Sequence, residues 1–470
     1  MRTHASTPAF LQAAILATLT LTLTLTLTLT LLPGCAVVDP YNIIGRTHVP
    51  PPTDDSPLTT LSADAWKQQA FEQVWTTVNE RYYDAKLNGI DWNAARSKYE
   101  PQLKAARTDD EYWELLDKMT GELRDSHTRV HSPKQVEQQR AFESHSLGIN
   151  FLELGGALVL SGVHPESDAY WAGARAGMII KTINDEPALP LYKRLLVETR
   201  DSSTPWARAR GAVRKISAGD IDSVVTMTFT RSDGTDITAS MKRRKFRTPP
   251  EMINRVLPSG YGYIRFSNFV GSMEGNILKA IEQMKATPGM IIDLRNNGGG
   301  SLYMANKLIS KFLSGPQKGP HILTRSGKPP TLLFIEIMKL DTVFKGDKER
   351  AYNKPLVILT NEGSASASEI FASTLQDLGR ATIIGQRSCG CLLGFLGYAD
   401  LPGGGQLAYS ELGFISPGGK RIEHEGVKPD REVMPAREDF VLSRDRTLEA
   451  AVKFLDETVA ADKKLAIANP

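Results

Sequence analysis

Cysteine is nearly absent from this chain of 470 residues: there are three, and two of them, Cys389 and Cys391, are separated by one glycine. So few cannot staple a scaffold, and a CxC pair falls short of the four ligands a structural zinc site takes. Along an extended backbone the two Cα atoms would lie near the upper limit for a bridge, so free or weakly bridged thiols are expected. An excess of either charge is also missing. Lys and Arg number 56 against 53 Asp and Glu, a formal net charge of +3. That balance points away from nucleic acid and from an acidic tail, and the basic run KRRKFR at 242–247 reads as a solvated edge beside a strand. Neither GxGxxG nor GxxxxGK[ST] occurs, which weakens any nucleotide-loop reading, and no metal or organic cofactor is implied. What remains is ordinary globular material, 41% hydrophobic and 23% charged, long enough for two or three domains with a sizeable core.

The N-terminus carries the localisation signal. Arg2 and His4 precede AFLQAAILATLTLTLTLTLTLTLLPGC, which contains no charge. A short basic start, an apolar stretch and a small-residue end make a secretory signal over residues 1–35. Leu32-Pro33-Gly34-Cys35 resembles the lipobox of bacterial lipoproteins, which implies lipidation of Cys35 as the first mature residue. Ala36 in the following position implies the outer membrane, facing the periplasm, within the bacterial cell envelope. An uncleaved transmembrane anchor is the competing reading, since the run approaches the roughly 20 residues a spanning helix needs.

Residues 36–60, rich in Pro, Thr and Asp, read as an extended tether. Across 61–135 the aromatic and aliphatic residues of AWKQQAFEQVWTTVNERYY and DDEYWELLDKMTGELRDSH recur at helical spacing, predicting a helical domain. From 142 to 245 short apolar segments alternate with Gly and Asp, and SVVTMTFTRSDGTDITASMKR predicts a hairpin turning at Asp233-Gly234. This is a small β-rich insert. Residues 246–435 then alternate strand and helix, the order of an α/β layer with mostly parallel pairing. Residues 436–470 close with a helix and a polar tail.

Two strand-turn-helix units in that layer could carry chemistry. In the second, Ser366-Ala-Ser-Glu369 fits a capping box, so the helix N-terminus presents free N–H groups and a positive dipole end. A serine in such a turn can stand clear of the helix, with the next N–H facing a developing oxyanion. In the first, Asn297-Gly298-Gly299-Gly300 allows close backbone approach and a further N–H.

DLRNNGGG, followed by LTNEGSASASEIFASTLQDLGRATIIGQRS, resembles the C-terminal processing and tricorn-type serine peptidases of family S41. ELRDSHTRV near the start and EHEGVKPDREV near the end extend the resemblance over most of residues 61–435. It implies a ClpP/crotonase-like ββα peptidase core and a PDZ-like insert at 142–245, with GVHPESDAYWAGARAGMIIKTIND as its matching segment. Met178 departs there from the acidic residue common in the family. Such an insert captures extended polypeptide by strand addition. The resemblance makes Ser366 the nucleophile, with Ser364 and Ser368 as capping alternatives. It makes the N–H groups of Ala367 and Gly299 the oxyanion donors, and Asp377 a structural polar residue.

Members with a Ser-Lys dyad carry F-G-K-G-x-x-Q after the nucleophile helix. Here that segment reads Cys389-Gly390-Cys391-Leu392-Leu393-Gly394-Phe395, with Cys391 in the lysine position and Phe395 in the glutamine position. A thiol is a poor substitute for a desolvated amine. Tricorn-type members instead use histidine, an adjacent serine and a later glutamate, which implies His127 as base with Ser126 and Glu423 as its orienters. An imidazole titrates near 6.5 and suits that task. Glu425 is the alternative carboxylate, and DSH could merely end a helix. The expectation is therefore a lipid-anchored serine endopeptidase acting on unfolded or C-terminally exposed polypeptide, with no cofactor and no nucleic acid. A catalytically inactive relative serving as a binding scaffold is the competing expectation, because both Lys and Gln are lost. A third makes Cys391 itself a nucleophile or redox centre.

Overall fold

The strand-helix alternation after residue 246 is realised as a single six-stranded sheet. In the computed structural model, which describes residues 63–468, Met252–Val256, Gly262–Phe266, Met290–Asp293, Leu356–Thr360, Thr382–Gly385 and Arg431–Glu432 lie side by side in that order. The first pair is antiparallel and every later pair parallel. Parallel strands are covered on both faces, so they read as continuous apolar runs; Leu356–Thr360 is buried at every position. One face packs on Ala451 and Leu455 of the C-terminal helix Arg446–Ala468, against Tyr263, Ile291, Val357, Leu359 and Ile384. The crossover helices are Gly271–Met284, Leu302–Ser310 and Ala367–Asp377. Phe371 of the last meets Phe269 at a tilt and Phe312 edge-to-face.

The N-terminal helices span Ala63–Arg81, Trp92–Lys104 and Asp109–Gly121. The aromatic stripe is core: Phe71, Val74, Val78, Tyr112 and Trp113 pack together with Leu407 and Tyr409 from the far end of the chain. Strand Arg129–His131 then pairs with Gln406–Ala408. This fixes the loop before it, which holds Ser126 and His127, against the later part of the chain.

Strands Glu143–Ser146 and Arg244–Arg247 pair at the base of the insert and close it. Its sheet runs Ile149–Leu154, Ala157–Val163, Ile179–Ile183, Val224–Thr230, Asp236–Lys242. The predicted hairpin is present, with Gly234 at φ 85° in its turn. The basic run lies on a paired strand whose Phe246 is buried while Arg244, Lys245 and Arg247 face out. The insert is β-rich as read from the sequence, and two helices not read there, Ala188–Glu198 and Pro205–Ser217, pack on its sheet through Tyr192, Ala212 and Ile216. Residues 329–339 form a short hairpin of their own, Thr331–Leu332 against Ile335–Glu336. Cys35, the signal segment and the tether lie outside the described residues. No helix among the described residues is long and apolar enough to cross a membrane.

Candidate active site

Strand Leu356–Thr360 runs through a tight turn into helix Ala367–Asp377, and Ser366 caps that helix at φ 56° and ψ −118°. L-residues avoid this region, at a cost of roughly 1–3 kcal/mol, and hold it only where the surroundings over-determine it. The surroundings here do so. The Ser366 N–H donates to the Cys391 carbonyl at 3.0 Å and to Glu369 Oε2 at 3.0 Å. Its carbonyl accepts the Glu369 N–H at 2.8 Å. Only half of the anticipated capping box is therefore made by side chains, because the Ser366 hydroxyl makes no capping bond. Its neighbours are committed: Ser364 Oγ donates to the Leu294 carbonyl at 2.7 Å, and Ser368 Oγ to the Asn297 carbonyl at 3.0 Å. Both are buried structural hydroxyls, and Ser366 is the serine of this turn left free to react.

The glycine turn lies directly against it. A Cβ on Gly299, whose φ is 93°, would stand 2.7 Å from Ser366 Cβ and 2.8 Å from the Ala367 nitrogen. The Ala367 N–H, in the first turn of a helix where no intrahelical acceptor exists, has no partner among the described residues. That leaves it available to an oxyanion. Gly299 fits less simply: its own N–H donates to Asn297 Oδ1 at 2.9 Å, so the expected second donor is engaged by its own loop. The Gly298 N–H has no such partner among the described residues. Asn297 is fully buried and also ties Nδ2 to the Phe266 carbonyl at 2.8 Å.

The segment where a lysine might have stood is a brace. Cys389 and Cys391 form a disulfide with their Cα atoms 5.1 Å apart, which decides between the free and the weakly bridged thiols expected. Gly390 at φ 67° folds the backbone back on itself, so the extended separation does not apply and the Cα distance falls in the ordinary bridging range. Glu369, at the first turn of the nucleophile helix, grips this loop. Its carboxylate accepts from Ser388 Oγ at 2.6 Å, from the Gly390 N–H at 2.7 Å and from the Cys391 N–H at 3.0 Å, besides Ser366. Burial pushes its pKa up to about 7, against the four donors that hold its charge. Sequence reasoning gave Glu369 only a capping role; its place four donors deep had no local signal.

The imidazole of His127 is reached from the other side. Burial lowers its pKa below 6.5, opposed by the nearby Asp125 charge, so the neutral, proton-accepting form prevails at neutral pH. Asp125 accepts from the His127 N–H at 2.7 Å, from Ser410 Oγ at 2.6 Å and from Thr128 Oγ1. His127 Nδ1 is buried without a partner. Among the described residues no hydrogen bond joins Ser366 to His127, and Ser126 does not bond Glu423; Ser203 stands against Ser126 instead. Of the two carboxylates weighed, Glu423 is the buried one, while Glu425 is exposed beside Arg387. Glu423 Oε2 accepts the Leu392 N–H at 2.5 Å. Its pKa is pushed well up, by burial first and by the Asp125 and Glu369 charges. Asp377 is structural, accepting from Ser416, Gly418 and Lys420. Among the described residues no cluster of His, Cys, Asp and Glu could hold a metal.

Ser366 is thus an unspent, strained serine at the head of a helix, with unpaired N–H groups beside it and the buried Glu369 carboxylate behind it. Residues 260–433 match the model of peptidase family S41, and residues 63–121 that of the tricorn protease C1 domain. The chain is 26% identical over 386 residues to the chloroplastic C-terminal processing peptidase of Tetradesmus obliquus, covering 78% of each. It is 27% identical to the carboxyl-terminal-processing protease of a Picosynechococcus species, over 81% of this chain and 86% of that one. Among solved structures, mature CPAF complexed with lactacystin superposes with a TM-score of 0.63 at 15% identity, over 86% of this chain and 100% of that one. The photosystem II D1 C-terminal processing protease gives 0.51 at 23%, over 80% and 94%. The mixed α/β fold is thus like that of these solved structures, and the two relatives named are peptidases of the C-terminal processing kind.

Proposed function

We propose that this chain is a serine endopeptidase that cleaves unfolded or C-terminally exposed polypeptides through an acyl-enzyme on Ser366. His127 takes the serine proton, and Ser126 and Glu423 orient it from behind. The Ala367 N–H and the glycine turn receive the oxyanion, with the Gly298 N–H or a rotated Gly299 N–H as second donor. The observation that carries this reading is the Ser366 backbone, held in a costly conformation with its hydroxyl unspent beside a free N–H. No lysine is needed, because His127 is the base; the Cys391 position contributes only a carbonyl that fixes the serine backbone. The insert serves as a PDZ-like groove: its outer strand Ile149–Leu154 is paired on one side only within its sheet, with Ala157–Val163, and could accept a substrate strand on the other. Lipidation at Cys35 tethers the enzyme in the cell envelope, at the outer membrane and facing the periplasm.

One observation favours the competing reading of a silent binding lipoprotein: His127 and Ser366 are not hydrogen-bonded. Free enzymes often carry such contacts loosely and tighten them around substrate. Proteolysis of an unfolded model protein by the chain from residue 36 onward separates the two. Cleavage lost in Ser366→Ala and His127→Ala but kept in Cys391→Ser establishes the peptidase. Polypeptide binding without cleavage by any form establishes the scaffold.

A further inference from the structure

Between the base and its carboxylate stands a residue that no motif pointed to. Ser203 lies on the insert, in the loop between helices Ala188–Glu198 and Pro205–Ser217, and is 6% exposed. It makes a reciprocal pair with Ser126: the Ser126 N–H donates to Ser203 Oγ at 3.0 Å, and the Ser203 N–H donates to Ser126 Oγ at 3.1 Å. Each hydroxyl is therefore an acceptor in the pair and keeps its own proton to give elsewhere. For Ser203 the neighbouring acceptor is Glu423. Its side chain lies near enough to temper the raised pKa of that carboxylate, while Glu423 Oε1 is buried with no completed hydrogen bond. The Ser203 carbonyl faces His424 Nδ1 at 2.8 Å, which fixes the residue after Glu423 as well.

The flanking residues tie down the same neighbourhood. Arg200 donates to the carbonyls of Asp125 and Thr128, on either side of Ser126-His127, at 3.2 and 2.9 Å. Thr204 Oγ1 donates to the Cys389 carbonyl at 2.8 Å and Trp206 Nε1 to that of Ser388 at 3.1 Å. Residues 200–206 thus touch the base loop, the brace behind Ser366 and the buried carboxylate. His127 has no hydrogen bond of its own at Nδ1, so the backbone that carries it must set its orientation.

We infer that Ser203 is a positioning residue for the base, supplied by the insert, which links Ser126 and Glu423 and thereby sets where His127 stands. The inference rests on the serine-peptidase reading and extends it, because it makes a residue of the insert part of the reacting centre's support. The links act as follows. Ser203 holds the Ser126 backbone through its Oγ, Ser126 carries His127, and the Ser203 hydroxyl proton is directed to the Glu423 carboxylate when that group ionises.

The test is the rate at which a fluorophosphonate labels Ser366 as a function of pH, in the chain from residue 36 with Ser203→Ala and Ser203→Thr, beside peptide hydrolysis and thermal melts. Ser203→Ala should slow labelling and lower kcat about ten- to hundred-fold, with KM changed less than about threefold, the scale of a misplaced general base. The acid limb of the profile should also move up toward 6.5, since a loosened loop admits water to the imidazole and relieves the burial that depresses it. Ser203→Thr, which keeps the hydroxyl, should restore both. A Ser203→Ala enzyme that melts lower but keeps the wild-type rate and pH midpoint would overturn the inference and leave the peptidase reading standing. A wild-type chain that fluorophosphonate never labels at Ser366 would remove both.

Discussion

The two halves of the proposed site, the Ser366 turn as nucleophile side and the His127 loop as base side, are built in opposite ways. Around Ser366 nearly everything comes from one stretch of sequence and its neighbours in the sheet: the turn, the helix it caps and the disulfide loop, bound together by the four donors on Glu369. Around His127 the neighbours come from separate stretches: Asp125 two residues before it, Ser203 and Arg200 from the insert against its loop, and Glu423, from near the end of the core, beside Ser203. On the Ser366 side the backbone of the turn is pinned and its strain locked in, and the groups left unpaired are the Ser366 hydroxyl and the Ala367 and Gly298 N–H groups. The base side has two buried polar atoms, His127 Nδ1 and Glu423 Oε1, without partners. An unpaired buried polar atom costs free energy, so on the His127 side a small loop movement has something to gain, whereas on the Ser366 side the unpaired groups are those an oxyanion would meet.

The largest expected effect attacks the rigid half. Glu369→Gln replaces one acceptor oxygen with an NH2 that faces backbone N–H groups, leaving two donors without an acceptor. Loss of about 3 kcal/mol of stability should follow, together with near-complete loss of cleavage as Ser366 relaxes. Denaturant titration and peptide assays read both; an active, stable variant would show that the brace does not hold the serine. Gly299→Ala comes next. Its Cβ would meet the Ala365 carbonyl at 2.6 Å and the Ser366 and Ala367 atoms just beyond. A fall in kcat of about a hundredfold is expected, the scale of losing one oxyanion donor, with KM little changed. Loss of binding instead of turnover would place the glycine turn in substrate capture.

On the adjustable half the sign of the effect reverses for stability. Glu423 holds its proton in the folded chain well above the pH at which the unfolded chain releases it. Below about 4.5 both states are protonated and nothing is lost; as pH rises above that, stability falls by up to about 1.4 kcal/mol per unit. Glu423→Gln removes this term, so the variant should gain on the wild type as pH rises from 5 to 7, while cleavage drops about tenfold because the orienting carboxyl group is gone. Parallel stability curves for the two proteins would show that Glu423 is not the buried proton holder.

The contrast between the halves also explains what could be read in advance. The sheet, its crossovers and the Ser366 turn were legible because each is written in consecutive residues: apolar runs such as LVILT, the small-residue turn, the helix that follows. The insert's hairpin was legible for the same reason, from Asp233-Gly234. The helices at 188–198 and 205–217 went unread because ALPLYKRLLVE and PWARARGAVRKIS lie among short apolar segments and turns that set a strand pattern for the region. The disulfide was left open between free and weakly bridged thiols because its feasibility depends on the φ of Gly390, a property of the folded loop. Ser203 carries no motif at all: its partners are 77 residues away at Ser126 and far down the chain at Glu423, and only the folded insert brings them together.

The disulfide itself supplies the smallest effect, and the one that best tests how the rigid half is held. Closing a loop this short removes little chain entropy, so Cys389→Ser with Cys391→Ser should cost only about 1.5 kcal/mol. The Ser366 N–H bonds a Cys391 carbonyl that any residue provides, and Glu369 grips the loop through Gly390, Cys391 and Ser388 whether or not the sulfurs are joined. Cleavage by the double variant, and by the wild type in a dithiol reductant, should therefore stay within about threefold of the oxidised enzyme. A loss as complete as that of Ser366→Ala would mean that the sulfurs themselves do the chemistry or that carboxylate and carbonyl cannot hold the turn without them. Labelling by fluorophosphonate decides between these, since it persists at Ser366 in the first case and disappears in the second.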